Sequence, residues 1–84
     1  MVTLISAYNF NAVVLNAIEP VLIHFWSFLS PSQDPTLMQE LGVEYAGRAI
    51  IGKMDAGAID NFNICGTYAV DSVPTFLIFK GGQV

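Results

Sequence analysis

The sequence predicts a single α/β domain in which helices cover a central, mostly parallel sheet. Apolar runs that suit strands alternate with segments of helical periodicity, in the order strand, helix, strand, helix, strand, helix, strand, turn. Two runs, VLIHFWSF and AIIGKMDA, are apolar almost throughout, which is typical of strands covered on both faces. Helical crossovers between parallel strands are right-handed, so this order favours a layered fold. The chain of 84 residues allows one domain, residues 1–84, and excludes a second.

The first half of the chain supplies a strand, a helix and the central strand. VTLIS predicts a short strand, and Ser6 can cap a helix through AYNFNAVVLNAIE. Glu19 ends that helix, because the residue before Pro20 is pushed out of the helical region. VLIHFWSF then predicts the central strand. The apolar stripe of the helix has the spacing i, i+3, i+4, i+7, i+8 and comprises Phe10, Val13, Val14, Ala17 and Ile18.

The second half supplies two helices and two strands. Residues 35–46 predict a helix that Gly47 stops, with one apolar face formed by Leu37, Met38, Leu41 and Tyr45. AIIGKMDA predicts a buried strand, and IDNFNICGTYAV predicts a shorter helix whose common face holds Ile59, Phe62, Cys65 and Ala69. VPTFLIFKGGQV predicts a last strand and a Gly-Gly turn, which begins a hairpin and implies an antiparallel neighbour.

Composition excludes several classes of function. Three basic residues against seven acidic ones give a net charge of −4, which argues against nucleic acid as a partner. The N-terminus lacks the basic region of a signal peptide, and the longest apolar run is far too short to span a membrane, so we expect a cytoplasmic protein without a membrane partner. The single cysteine, Cys65, excludes an intrachain disulfide and a multi-cysteine metal site, and no cofactor is predicted. The hydrophobic fraction of 54% exceeds what a small core hides, so part of the surface is expected to be covered by a second copy or another protein.

Four pieces of the sequence resemble the thioredoxin family and occur in the family's order. They are NF at the start of the first helix, PVLIHFW, EYAGRAIIGKMD and YAVDSVPTFLIFKGGQV, and together they extend from about Thr3 to Val84. The resemblance implies a thioredoxin-like three-layer fold with Pro74 in the cis form, in a loop that faces the active-site corner. In the family, the backbone beside that proline pairs with an extended peptide of the partner, which implies a binding role for Val73 and Pro74.

The family continues beyond this C-terminus with an edge strand and a final helix. The resemblance therefore implies that both are truncated here, which leaves a strand edge unpaired and an apolar face bare. Either a homodimer or another completing chain covers them, or the sequence is a piece of a longer chain.

The expected reactive corner departs from the family. The CGPC motif is absent: SPSQ, residues Ser30 to Gln33, takes its place when counted from Phe25-Trp26, and FLSP does when counted back from Glu44-Tyr45. Dithiol exchange needs an attacking thiolate and a second thiol, so a serine cannot carry it.

Other candidate residues have a structural and a functional interpretation. His24 replaces a buried aspartate of the family and is expected to be a buried neutral histidine, with a pH switch or catalytic base as the alternative. Cys65 is expected to be a buried inert thiol, with a redox sensor as the alternative. By the same resemblance, Trp26 is expected to pack behind the corner, with exposure of its edge to a ligand as the alternative. Lys53 matches the lysine that neighbours the family's buried aspartate, and its partner is left open between Asp55 and Asp71.

The favoured function is a redox-inactive thioredoxin-like domain used for protein binding or assembly, with no catalytic residue. Its partner would be a protein or an extended peptide, held in the groove between Pro31/Ser32 and Val73/Pro74, with Trp26 beside it. The alternative is a thioredoxin-family oxidoreductase or redox-homeostasis protein that acts through Cys65 or through a partner's thiols. A third possibility is a structural subunit whose sheet another chain completes.

Overall fold

A computed structural model describes residues 2–28 and 35–84, and within them four strands form one mixed sheet. The strands are β1 (Thr3–Leu4), β2 (Val21–Trp26), β3 (Ile50–Asp55) and β4 (Thr75–Phe79). Their order is β1-β3-β2-β4, with β3 parallel to both β1 and β2 and β4 antiparallel to β2. The α/β fold class is confirmed, and the predicted central strand lies between two neighbours.

Helical segments cover both faces of this sheet. A π-helical segment (Asn11–Leu15) follows β1, α1 (Pro35–Glu44) precedes β3, and a 3-10 turn (Ile59–Asn61) leads directly into α2 (Phe62–Thr67). The π-helical segment and α2 pack on the face that carries the main core, whereas α1 contacts β3 from the other face. No helix in the described part of the chain is long and apolar enough to cross a membrane.

The core is built on the alternation of β2. Every second residue of this strand, namely Val21, Ile23 and Phe25, is fully buried on one face. Its neighbours across the sheet supply Met54 and Phe79, and the helical segments supply Phe10, Val14 and Cys65. The side chains from β2, β3 and the helical segments thus form one contiguous cluster, as expected for a single domain.

The direction of β4 differs from the crossover prediction. Thr75 lies opposite Phe25 and Phe79 lies opposite Val21, so the strand begins at the edge of the sheet where β2 ends. The helical residues between β3 and β4 are nine in number, three in the 3-10 turn and six in α2. They rise by roughly 15 Å, which is less than the roughly 20 Å of a six-residue strand. The chain therefore starts β4 from the edge at which β3 ended.

The first helix is much shorter than predicted. Helical backbone covers only Asn11–Leu15 and ends at Asn16, so Ile18 lies outside the apolar stripe and is 86% exposed. At the other end, Ser6 Oγ accepts the Tyr8 N–H at 3.2 Å in a turn instead of capping the helix. Asn9 accepts the Ser6 N–H at 2.8 Å and donates to Leu4 O at 2.9 Å, which holds the chain in that turn. Short polar side chains compete with the helical backbone in this way.

The predicted common face of the third helix is also wrong. Of its four residues only Cys65 is buried, while Ile59, Phe62 and Ala69 are exposed. The segment begins as a 3-10 turn, which has 3.0 residues per turn, so a stripe projected with a period of 3.6 loses its phase. Ala69 lies beyond α2, with a φ of 58°. Core contacts from this segment come instead from Ile64, Cys65 and Tyr68.

The remaining elements agree more closely with the prediction. The helix α1 ends at Glu44, two residues early, and Met38 is its buried apolar residue. After β4, Gly81 and Gly82 adopt φ values of 61° and 81°, and Lys80 and Gln83 form an antiparallel bridge. These are the dihedral angles that a two-residue hairpin turn requires, so the hairpin begins where the sequence predicted it.

Candidate functional site

The carboxyl ends of β2 and β3 form the edge of the sheet at which the predicted site residues meet. Trp26 is paired with Asp55 in the parallel register, and the Ala56 N–H donates to Trp26 O at 2.7 Å. Because β4 starts at this edge, the Val73–Pro74 loop lies there too. The structure thus brings Trp26, Val73 and Pro74 to one end of the sheet. Pro31 and Ser32, the other half of the predicted groove, lie outside the described residues.

The loop before β4 presents an unpaired main chain. The Val73–Pro74 peptide bond is cis, Pro74 is exposed and Val73 is half-buried against the core. Thr75 Oγ1 donates to Ser72 O at 2.6 Å, which fixes the loop at the start of the strand. Val73 itself lies outside every strand and helix and forms no main-chain hydrogen bond with another described residue. Within residues 2–28 and 35–84, the Val73 N–H and C=O thus have no main-chain partner.

A pocket of about 270 Å³ lies beside this loop. One wall comes from the residues that follow β2 and β3, namely Ser27, Ala56 and Gly57. The other wall comes from residues 70–73, among them Val70 and Asp71. A Cβ atom at Gly57 would lie 3.0 Å from Ser27 Oγ and 3.3 Å from Asp55 Oδ1. A side chain at this position would therefore crowd this wall of the pocket.

Two acidic side chains, Asp55 and Asp71, lie at this end of the sheet and form no ion pair with another described residue. Asp71 lines the pocket, and Asp55 Oδ1 accepts the Gly57 N–H at 2.8 Å. Neither of the two candidate partners of Lys53, Asp55 and Asp71, forms an ion pair with it. Instead, Lys53 Nζ lies 5.5 Å from the centroid of the Trp26 ring, within the range of a cation–π contact.

The other two basic residues are also held elsewhere. Arg48 donates to Glu44 O at 2.6 Å and lies over the Tyr45 ring, and Lys80 donates to Ile18 O at 2.8 Å. None of the three basic residues of the sequence lines the pocket.

Trp26 packs between charged and aromatic neighbours. Its ring is half-buried and meets Phe28 edge to face, with centroids 4.6 Å apart, while Lys53 approaches it from β3. The indole Nε1 is buried and has no hydrogen-bond partner in the described part of the chain. Trp26 therefore stabilises the end of the sheet by packing rather than by its N–H.

His24 is buried, as predicted, and stacks on Phe76 with ring centroids 4.5 Å apart and an interplanar angle of 7°. The two residues are direct register partners on β2 and β4. They lie on the face opposite the main core, so His24 joins the central strand to the edge strand.

Cys65 lies on α2 within the core and is 7% exposed. Burial raises the pKa of its thiol, and the negative charge of Asp55 raises it further. The reactive form of a cysteine is the thiolate, so both effects reduce its reactivity near neutral pH. Within residues 2–28 and 35–84, no three histidine, cysteine or acidic side chains are arranged to hold a metal ion.

Sequence reasoning missed Gly57 and Asn61, which organise the end of β3. Asn61 is buried, accepts the Ala7 N–H at 2.9 Å and donates to Asp55 O at 2.9 Å. An asparagine before an apolar helix is a recognisable N-cap signal, and Asn61 does occupy that position of α2. Its side chain, however, bonds to distant backbone, which the local signal does not indicate.

A mixed four-stranded sheet with helices on both faces is the architecture of a thioredoxin-fold protein. The thioredoxin family model matches residues 1–84. The thioredoxin of Chlorobaculum thiosulfatiphilum is 38% identical over 78 residues, which cover 90% of this chain and 70% of that protein. Thioredoxin 2 of Chlorobaculum tepidum is 37% identical over 83 residues, which again cover 90% of this chain and 70% of that protein. The thioredoxin of Haemophilus influenzae is 35% identical over 82 residues, which cover 95% of this chain and 75% of that protein. The chain belongs to the thioredoxin family.

Proposed function

We propose that this chain is a redox-inactive thioredoxin-family domain that binds an extended segment of another protein at the Val73–Pro74 loop. The observation that carries the proposal is the state of the one cysteine in the sequence. Cys65 is buried on α2, and its pKa is raised, so the chain offers neither a ready thiolate nor a second thiol to resolve a mixed disulfide.

The binding part of the proposal is supported by the main chain of Val73. An extended peptide that adds to a free N–H and C=O gains main-chain hydrogen bonds, and neighbouring pockets then select its side chains. Val73 provides such groups next to the 270 Å³ pocket, and among residues 2–28 and 35–84 they have no main-chain partner. The same end of the sheet thus supplies both contacts that strand addition uses.

A role in assembly is supported by the opposite face of the sheet. Phe76 and Ile78 on β4 are 47% and 62% exposed there, and the outer edge of β4 pairs with no other described strand. Exposed apolar side chains beside an unpaired strand edge are typical of surfaces that associate. We propose that a second copy or a completing chain covers this face. Sedimentation velocity at rising concentration tests it, because a strictly monomeric chain would contradict the proposal.

The second candidate is a redox role through Cys65 or through a partner's thiols, and the names of the relatives favour it. Insulin reduction with dithiothreitol separates the two candidates. We expect wild-type protein and Cys65→Ser to leave the rate at that of dithiothreitol alone, while an active thioredoxin in parallel accelerates it. Wild-type turnover that Cys65→Ser abolishes would overturn the proposal in favour of the redox role.

A further inference from the structure

We propose that the pocket beside Val73 receives a lysine or arginine side chain of the bound segment, an inference that rests on the proposed peptide-binding function. The pocket adjoins the main-chain groups to which an added strand would bond. Side chains of an added strand alternate in direction, so one of them would enter the pocket while its neighbours point away.

The shape of the pocket suits a long aliphatic stem. Ala56, Val70 and Val73 give it an apolar surface, and its volume of about 270 Å³ accommodates one side chain rather than a folded element. Gly57 keeps one wall open, because a side chain at that position would begin within 3.0 Å of Ser27 Oγ. Lysine and arginine bury their methylene groups along such surfaces while the charged end stays near water.

The negative charge at the pocket favours a cationic group at the end of that aliphatic stem. Asp71 lines the pocket at an exposed position, and Asp55 lies directly behind Gly57. No lysine or arginine lines the pocket, and the described residues form no ion pair with Asp71 or Asp55, so a cation from the partner would meet these carboxylates. The net charge of −4 also favours the approach of a basic segment. An acidic side chain would be repelled, and a neutral one would form no ion pair with the carboxylates.

The test begins with a positional-scanning library of nonapeptides presented to the immobilised full chain. We expect enrichment of lysine and arginine at one position, with binding of the selected peptide measured by fluorescence anisotropy. Replacing its basic residue by norleucine, which keeps the aliphatic stem, should weaken binding. N-methylation of the backbone beside that residue should abolish binding, because it removes main-chain pairing and leaves the basic side chain in place.

Two pairs of variants locate the effect. Asp71→Asn should weaken the basic peptide about two- to fivefold, as expected for a partly exposed ion pair, and the loss should shrink at high salt. Glu40→Gln, an equal change of charge on the exposed side of α1, should leave the affinity unchanged. Gly57→Val should block the pocket, whereas Gly66→Val, at a site with no atom within 4 Å of the added Cβ, should not.

The outcomes separate this inference from the proposed function. Peptides that bind without preference for a basic residue, or with equal affinity for Asp71→Asn and Glu40→Gln, would overturn the basic-pocket inference and leave peptide binding standing. No binding by any member of the library would overturn both.

Discussion

Replacing Gly52 by alanine should destabilise the sheet that carries the site. Gly52 is buried in the middle of β3, and its register partners are Thr3 on β1 and Ile23 on β2. An added Cβ would overlap Ile5 Cδ1 and lie 2.9 Å from Ile5 Cγ1 and 3.1 Å from Thr3 O. Because Ile5 is only 3% exposed, its side chain has little room to retreat.

The expected cost follows from this overlap. Inserting a methyl group into a packed core costs about 1–3 kcal/mol, which corresponds to a fall in Tm of roughly 4–24 °C for a domain of this size. Ile5→Val removes the Cδ1 atom that makes the worst contact and should by itself cost about 0.5–1.5 kcal/mol. The double variant should therefore be more stable than the sum of the single changes predicts, with a coupling of about 1 kcal/mol.

Urea denaturation followed by circular dichroism measures the unfolding free energy of the wild type, the two single variants and the double variant. Gly66→Ala is the matched control, since its Cβ meets nothing within 4 Å in α2, and it should raise stability by about 0.5–1 kcal/mol. If Gly52→Ala alone does not fold, Ile5→Val in the same chain should restore a cooperative transition. If the two single changes in unfolding free energy sum to that of the double variant within about 0.5 kcal/mol, Ile5 and an alanine at 52 do not compete for one space.

Two further predictions concern the end of β3 and the buried thiol. Asn61→Ala should cost about 2–4 kcal/mol, because it leaves the Ala7 N–H and Asp55 O without partners. Asn61→Asp should also destabilise the fold, because its carboxylate can accept the Ala7 N–H but cannot donate to Asp55 O. Urea denaturation measures both variants, and a loss within error would contradict this. Because the native pKa of Cys65 is raised, unfolding releases a proton once the pH exceeds the unfolded value of about 8.5, so native stability falls from there upward. The difference in unfolding free energy between wild type and Cys65→Ala should therefore shrink between pH 8 and 10, and a constant difference would contradict the assignment.

Strand positions were predictable because continuous apolar runs have few alternatives in a small α/β domain. VLIHFWSF and AIIGKMDA became β2 and β3 with boundaries close to those expected. The ends of the helices were less predictable, because the spacing of apolar residues indicates which face of a helix is buried and not the residue at which the helix ends. Ile18 fits the stripe of the first helix, yet Asn16 already lies beyond the helical segment.

The site was predictable only in part, because half of it depends on contacts distant in sequence. Val73, Pro74 and Trp26 were found through their resemblance to a family pattern, and the sheet register brings them together. Gly57 and Asp71 belong to separate loops that meet only after β4 has turned back along β2. Lys53 has suitable acids nearby in sequence, yet in the fold it lies over an indole ring.

Asp55 connects the proposed absence of thiol chemistry with the proposed choice of partner. Its negative charge raises the pKa of Cys65 and so opposes formation of a thiolate. A site selected for thiolate attack would place a positive charge near its cysteine, because cations lower the pKa of thiols. The same carboxylate adds to the negative charge behind Gly57, at the pocket that a basic side chain would fill. One charged group thus opposes formation of a thiolate at Cys65 and adds negative charge beside the pocket, so both proposals depend on the aspartate at the end of β3.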